Sequence, residues 1–318
     1  MTLSTAPALS AADRHGRPAR PGDSGHPGSP NDPNFPGEPS TPGAPARRPR
    51  AGAPGIRPGL LLAGLPLLVI AAWILVPGLF SSADPITGIP ARKFLPPGPE
   101  HWFGTDHLGR DVYARVVHGT SRTFLTAGLA VGIGLVGGTV VGLLAATAGR
   151  AADAVAMRLM DVLLAVPGFL IALVIVTASS PGPVSLGLGV GIASIASFAR
   201  VVRAEVLRVR NLDFVEAAFL TGGTYWTVLR RHLLPNAAGP VLSLVAVDLG
   251  AAILVISSLG FLGFGAPPPT PEWGLLIAEG RQYLGVAWWL TSLPGLVIIL
   301  TVVLLAALGR QLLHRFRY

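Results

Sequence analysis

Four stretches of this chain, 59–83, 123–149, 162–199 and 288–308, contain no charged residue. Each is long enough to cross a bilayer, which takes roughly 20 mainly apolar residues for about 30 Å of hydrocarbon. One such run fits a removable signal; several do not, so the chain belongs in lipid. The composition agrees: 51% of the 318 residues are hydrophobic and 13% charged, outside the usual range for a soluble domain of this length. Cysteine is absent, which excludes disulfides, thiolate metal sites and cysteine nucleophiles. The net charge of +8 is read by position rather than as a nucleic-acid signal, because Lys and Arg collect in cytoplasmic loops of membrane proteins.

Residues 1–58 hold 13 of the 30 prolines with no sustained apolar period. Such a segment cannot bury enough surface to offset its ordering entropy, and a disordered cytoplasmic tail is expected. A secretory signal is not, since the first apolar run starts only at Gly59. Arg47, Arg48, Arg50 and Arg57 precede that run and place its start in the cytoplasm. Residues 59–122 then read as a first span and an outer loop, and 123–318 as a five-helix core. The second span is expected at 123–149, followed by a short return loop with Arg150, Asp153 and Arg158. Ser179-Ser180-Pro181-Gly182-Pro183 divides the long run 162–199 into two spans. A cytoplasmic loop from Arg200 to Pro235 carries six arginines. The fifth span follows at 237–264 and the sixth at 288–308, with Arg310, Arg315 and Arg317 closing the chain inside. The fold class is therefore all-α polytopic, with six transmembrane helices and both termini cytoplasmic. One loop resists the charge rule: the outer segment holds Arg92, Lys93, Arg110, Arg115 and Arg122 beside Asp84, Glu100, Asp106 and Asp111.

Within the cytoplasmic loop, at about 211–236, stand Glu216, Ala217 and Ala218, then Gly222 six positions after the Glu, then Leu234 and Pro235. Glycine permits a tight or left-handed turn between two short helices, and proline stops the second before the next span. The spacing resembles the EAA loop of binding-protein-dependent ABC importers, where two short helices dock into a groove on the ATPase subunit. Phe219, Leu220, Thr221 and Gly223 depart from the more polar, alanine-rich stretch usual there. A second resemblance is to the dipeptide, oligopeptide and nickel permease group, in its C-type subunit. It lies in His101-Trp102-Phe103 followed by Gly104, Thr105, Asp106, His107, Leu108, Gly109, Arg110, Asp111 and Arg115, with Ala114 in place of the usual Ser. The segments Met157–Asp161 with Pro167, Ser258–Gly263 and Pro268–Gly274 are also similar to that group. The resemblance covers about Gly59 to the C-terminus. It implies a type I ABC importer permease fold with a cytoplasmic coupling helix, located in the inner cell membrane.

Read by residue type alone, Gly104 to Arg115 is a turn and the start of an amphipathic helix, with Asp106, Arg110 and Asp111 able to pair locally. A structural role is expected, with direct solute contact as the alternative. His101 and His107 lack a third clear ligand, so no metal site is expected. Asp161 lies three residues after Arg158, a spacing for a helical pair. Asp248 falls near the middle of the fifth span with no charged neighbour, so it faces either protein or a watery path. Its candidate roles are polar helix packing and contact with cationic solute groups on the pathway. In the family an acid usually appears later on this helix, where this chain has Ile256.

No phosphate-cradling loop is present, since the single lysine, Lys93, sits in a proline-flanked outer loop. Nor is a nucleophile elbow or an H-E-x-x-H pair. No enzymatic activity is expected of this chain, and no cofactor bound by it; ATP and Mg are used by partner subunits. The resemblance implies a homologous B-type permease, two cytoplasmic ATP-binding subunits and an extracytoplasmic solute-binding protein, with no nucleic acid. The expected function is half of a translocation pathway for di- or oligopeptides or related solutes, including metal chelates. The competing reading is a secondary transporter driven by an ion gradient.

Overall fold

The computed structural model describes residues 58–222, 224–228, 230–231 and 234–316. The tail expected at 1–58 lies outside the described residues except for its last position. Eleven α-helices and two short 3-10 helices occur among those described, with no strand and a single isolated bridge between Thr105 and Asp111.

Helix α1, Pro58–Leu75, stands where the first span was expected but ends well before residue 83. Pro77 cannot continue its ladder and starts the short α2, Pro77–Phe80. An irregular outer loop leads to α3, Val112–Thr147, whose 36 residues extend about 54 Å. That helix begins 11 residues before the expected second span because the Asp111 carboxylate caps it, accepting the Ala114 N–H at 2.8 Å.

After Gly149 the chain does not form the expected return loop. Residues 150–165 make the amphipathic helix α4, Arg150–Ala165, and α5, Gly168–Ala178, follows at an angle of 84°. Proline 167 supplies no N–H to join the two ladders, which accounts for the corner. Helix α6, Pro183–Arg210, begins after the turn predicted at Ser179–Pro183. The short α7, Asp213–Leu220, and α8, Tyr225–Val228, occupy the predicted cytoplasmic loop. Helix α9, Leu234–Phe261, leads to the short α10, Trp273–Gly280, and α11, Trp289–Phe316, completes the order.

Four helices, α3, α6, α9 and α11, are long and apolar enough to cross a membrane, and the bent α4–α5 pair makes a fifth span if counted as one. Among the described residues the other apolar helical stretch, Gly64–Leu75 of α1, is shorter than these, so four or five of the six expected spans are identified there by length and composition.

The spine is the α3–α6 pair. Lipid offers no hydrophobic drive between helices, so small residues that admit close backbone approach dominate such contacts. Gly134, Gly138 and Gly142 recur every four residues along one face of α3. A Cβ on Gly138 would lie 2.3 Å from the Phe198 Cβ and 2.8 Å from the Ala199 nitrogen. The central core, drawn from α3, α5, α6, α9, α10 and α11, includes Phe198, Leu186, Ile253, Ile256 and Trp273.

Candidate functional site

The predicted coupling segment lies at the C-terminal end of α6. Between α7 and α8, Gly222 adopts φ +88°, and nothing lies within 4 Å of where its Cβ would stand. Its backbone conformation, not space, demands glycine. Val215 of α7 and Val228 of α8 are buried together with Val202, Val206 and Val209 of α6 and Ala146 of α3, and Ala218 packs against the same cluster. The two short helices are thus seated on the C-terminal ends of α3 and α6. Glu216, Ala217, Leu234 and Pro235 have helical backbone; their side chains lie outside the described residues, as does Gly223.

Ion pairs tie α4 to the same part of α6. Asp153 receives both Nε and Nη2 of Arg203, and Asp161 receives Nη2 of Arg200. The expected partner of Asp161, Arg158, is not the one it uses. Packing turns Asp161 toward the neighbouring helix, an option that spacing along one helix cannot reveal. Glu205 pairs with Arg208 one turn on.

At the other end of the bundle the signature residues form a charge cluster. Asp106 Oδ2 accepts from Arg110 Nε at 2.6 Å and from Arg115 Nη1 at 2.9 Å. Glu279 of α10, which the sequence did not single out, accepts from Arg110 Nη2 at 3.1 Å and Arg115 Nη1 at 3.0 Å. Both arginines are almost fully enclosed, with 2% and 1% of their side-chain surface exposed. Burying charge is tolerable only with such pairing. Burial by itself would raise the Asp106 carboxyl, but the Arg110 N–H and charge and the Leu108 N–H hold it below the usual carboxylate range.

Gly104 and Gly109 shape this turn, both at positive φ. A Cβ on Gly109 would lie 1.9 Å from the Ile89 carbonyl oxygen. The Thr105 N–H donates to the Leu95 carbonyl at 2.9 Å. Asp111 is held by His101 Nδ1 at 2.7 Å, and His107 stacks on Tyr283. Both histidines therefore have protein contacts, and no group of three metal-ligating side chains occurs among the described residues.

Helix α10 is built into the end of the bundle where α3 begins. Trp273 has no exposed surface; its Nε1 donates to the Val116 carbonyl at 3.1 Å, and Phe124 meets its ring edge-on. One residue earlier, Glu272 is 2% exposed, accepts the Ala266 N–H at 2.7 Å, and leaves Oε1 buried without a partner among the described residues. Burial pushes this carboxyl above its ordinary range, against the Ala266 N–H and the Arg122 charge. The segment 84–122 carries five basic residues against four acids, an imbalance of one that hinted at a further acid from elsewhere in the chain.

Asp248 lies midway along α9 facing α6, where Ser194 Oγ donates to its Oδ1 at 3.3 Å. Oδ2 is buried with no partner among the described residues. Ile256, at the family's usual acid position, is completely buried in the core, where a charge would have nothing to answer it.

Comparison with known proteins settles the family. The sequence profile of the binding-protein-dependent transport system inner membrane component matches residues 138–318. The chain is 35% identical over 251 residues to the Probable D,D-dipeptide transport system permease protein DdpC of Escherichia coli K12, covering 76% of this chain and 84% of that protein. It is 39% identical to the di/tripeptide transport system permease protein DppC of Pseudomonas aeruginosa UCBPP-PA14, covering 65% and 68%. It is 40% identical to the glutathione transport system permease protein GsiD of Pectobacterium atrosepticum, covering 67% and 71%. In fold it is similar to a chain of the MetNI methionine ABC transporter in an inward-facing conformation, with a TM-score of 0.52 at 17% identity over 64% of this chain and 96% of that one. An amino acid ABC transporter chain gives 0.51 at 17% identity, covering 63% and 94%. The alternative of an ion-gradient carrier is set aside by these relationships: the chain belongs to the binding-protein-dependent transport system inner membrane components, the permease subunits of ABC importers.

Proposed function

We propose that this chain forms half of a pathway for di- and oligopeptides or related small solutes, including metal chelates, and is driven by separate ATPase subunits. The substrate class follows the dipeptide, di/tripeptide and glutathione permeases to which the chain is similar. The observation that carries the coupling role is the seating of α7 and α8 on the inner ends of α6 and α3, with a left-handed Gly222 between them. Force applied to those short helices passes into the spine without an intervening flexible segment.

Glu216, Ala217, Ala218, Gly222, Leu234 and Pro235 belong to the loop that couples to an ATP-binding subunit. The complete importer pairs this chain with a B-type permease, two ATP-binding subunits that use ATP and Mg, and an extracytoplasmic solute-binding protein. No covalent chemistry is assigned to this chain. Both termini and the coupling segment face the cytoplasm, as the arginines before α1, along 200–231 and after α11 support. Asp248 links α9 to α6 through Ser194, and its second carboxylate oxygen is the atom that a cationic solute group would meet. Reconstitution with the partner subunits in proteoliposomes tests the assignment. ATP-dependent uptake of labelled di- and tripeptides that requires the binding protein is expected, and peptide uptake driven by an ion gradient without ATP would overturn it.

A further inference from the structure

Arg110 and Arg115 use their guanidinium groups differently. In this planar group the Nε–H and Nη2–H project from one edge and form a fork of two donors. Arg110 gives that fork to Asp106 and Glu279. Arg115 reaches the same two carboxylates through Nη1 alone, at 2.9 and 3.0 Å, and its Nε and Nη2 are buried with no partner among the described residues. Bulk solvent does not reach a side chain this enclosed. Leaving buried donors of a charged group unanswered costs more than losing an ordinary hydrogen bond.

Arg115 also lines a small cavity. Asp106 and Glu279 share its wall, and Val112 of α3, Leu276 of α10 and Leu290 of α11 supply apolar surface; the cavity measures about 10 Å³. A water needs roughly 10–15 Å³ of such space and about two to four polar partners. The site therefore takes one water, and a carboxylate or phosphate group is too large for it. Charge points the same way. Two guanidinium groups and two carboxylates already balance, so an added anion would stand uncompensated against Asp106 and Glu279. A water oxygen can accept from both arms of the fork, and its two hydrogens remain for carboxylate oxygens.

We infer that Arg115 holds one ordered water on its Nε–Nη2 fork, and that this water is a fifth member of the cluster formed by Asp106, Arg110, Arg115 and Glu279. Such a bridge is nearly as favourable in enthalpy as a direct hydrogen bond. It ties the start of α3 to α10 by a second route beside the direct ion pairs, whatever solute the importer carries.

Two measurements on the assembled transporter in nanodiscs test the site. A structure that resolves ordered solvent should show one water oxygen within hydrogen-bond distance of both Arg115 Nε and Nη2. A fork without solvent density would overturn the inference, and bromide found there by anomalous scattering in crystals would replace the water with an anion. The second measurement is a double-mutant cycle on the thermal midpoint. Val112→Ile adds one methylene to the cavity wall and should lower the midpoint by expelling the water and stranding the fork. Arg115→Lys keeps the charge but has no fork, so in that background Val112→Ile should cost less than half as much. Equal losses in the two backgrounds would reduce the effect to overpacking, and a rise in midpoint for Val112→Ile would show a dry cavity; either result overturns the site.

Discussion

Arg110 and Glu279 meet at 3.1 Å across 169 positions of sequence, joining the outer loop to α10. Replacing Glu279 with Gln leaves two enclosed guanidinium groups to share Asp106 alone. Breaking a buried pair from one side costs on the order of 3 kcal/mol. The thermal unfolding midpoint of the purified chain should drop accordingly, and an unchanged midpoint would show that Glu279 does not hold the loop.

Gly222 should tolerate asparagine but not valine. Nothing crowds its Cβ position, so only the left-handed backbone selects against side chains; asparagine visits that region readily and a β-branched residue does not. Gly222→Asn should keep most uptake, and Gly222→Val should abolish it with normal amounts of protein in the membrane. Uptake assays with immunoblots of membrane fractions decide the matter, and full activity in the valine variant would count against the coupling role.

A methyl group on the α3 stripe tests the spine. Gly138→Ala forces the α3 and α6 backbones apart and should destabilise by about 1–3 kcal/mol. Gly128→Ala, on the same helix with nothing within 4 Å of its Cβ, should be neutral. Equal thermal midpoints for the two variants would refute the close-packing account.

Asp248→Asn retains an acceptor for Ser194 and should leave stability near that of the wild type. Contact with cationic solute groups predicts about tenfold weaker uptake of basic peptides relative to neutral ones, the loss of one modest charge interaction. Competition uptake with peptides of differing charge measures this; identical profiles would reduce Asp248 to helix packing.

Glu272 and Asp106 bend the stability curve in opposite directions. The raised carboxyl of Glu272 binds its proton more readily in the folded state, so its favourable contribution is complete below the ordinary value of 4.5 and is lost as pH rises through the raised folded value. Asp106, held low, contributes above about 3.8 and loses that contribution only as pH falls through its depressed value. Relative to Glu272→Gln, the wild type should therefore lose thermal stability as the solution is made more alkaline. Parallel curves for the two proteins would contradict the buried, unpaired Oε1.

Much of this architecture was readable because lipid imposes a strict rule on charge-free length. The break at Ser179–Pro183 and the left-handed turn at Gly222 both follow from local chemistry. Helix α3 begins eleven residues before the uncharged run at 123, at the helix start expected within Gly104–Arg115: Arg115 and Arg122 interrupt the apolar run without interrupting the helix, and Asp111 caps it. The return loop became α4 for the same reason: its Asp and Arg residues interrupt an apolar run without interrupting a helix. Partners far apart in sequence stayed hidden. Nothing near Asp161 pointed to Arg200, and nothing near Arg110 pointed to Glu279, since both pairs depend on how helices pack.

The corner at Val166–Pro167 has a mechanical meaning. Because Pro167 brings no amide hydrogen, no ladder bond bridges the bend, and turning there breaks none. With α4 strapped to α6 by Asp153 and Asp161, and α7 and α8 seated on the same shaft, a push on the proposed coupling helices would move one stiff block. The proline corner is its free joint, the place where such a stroke changes an angle instead of rupturing a contact.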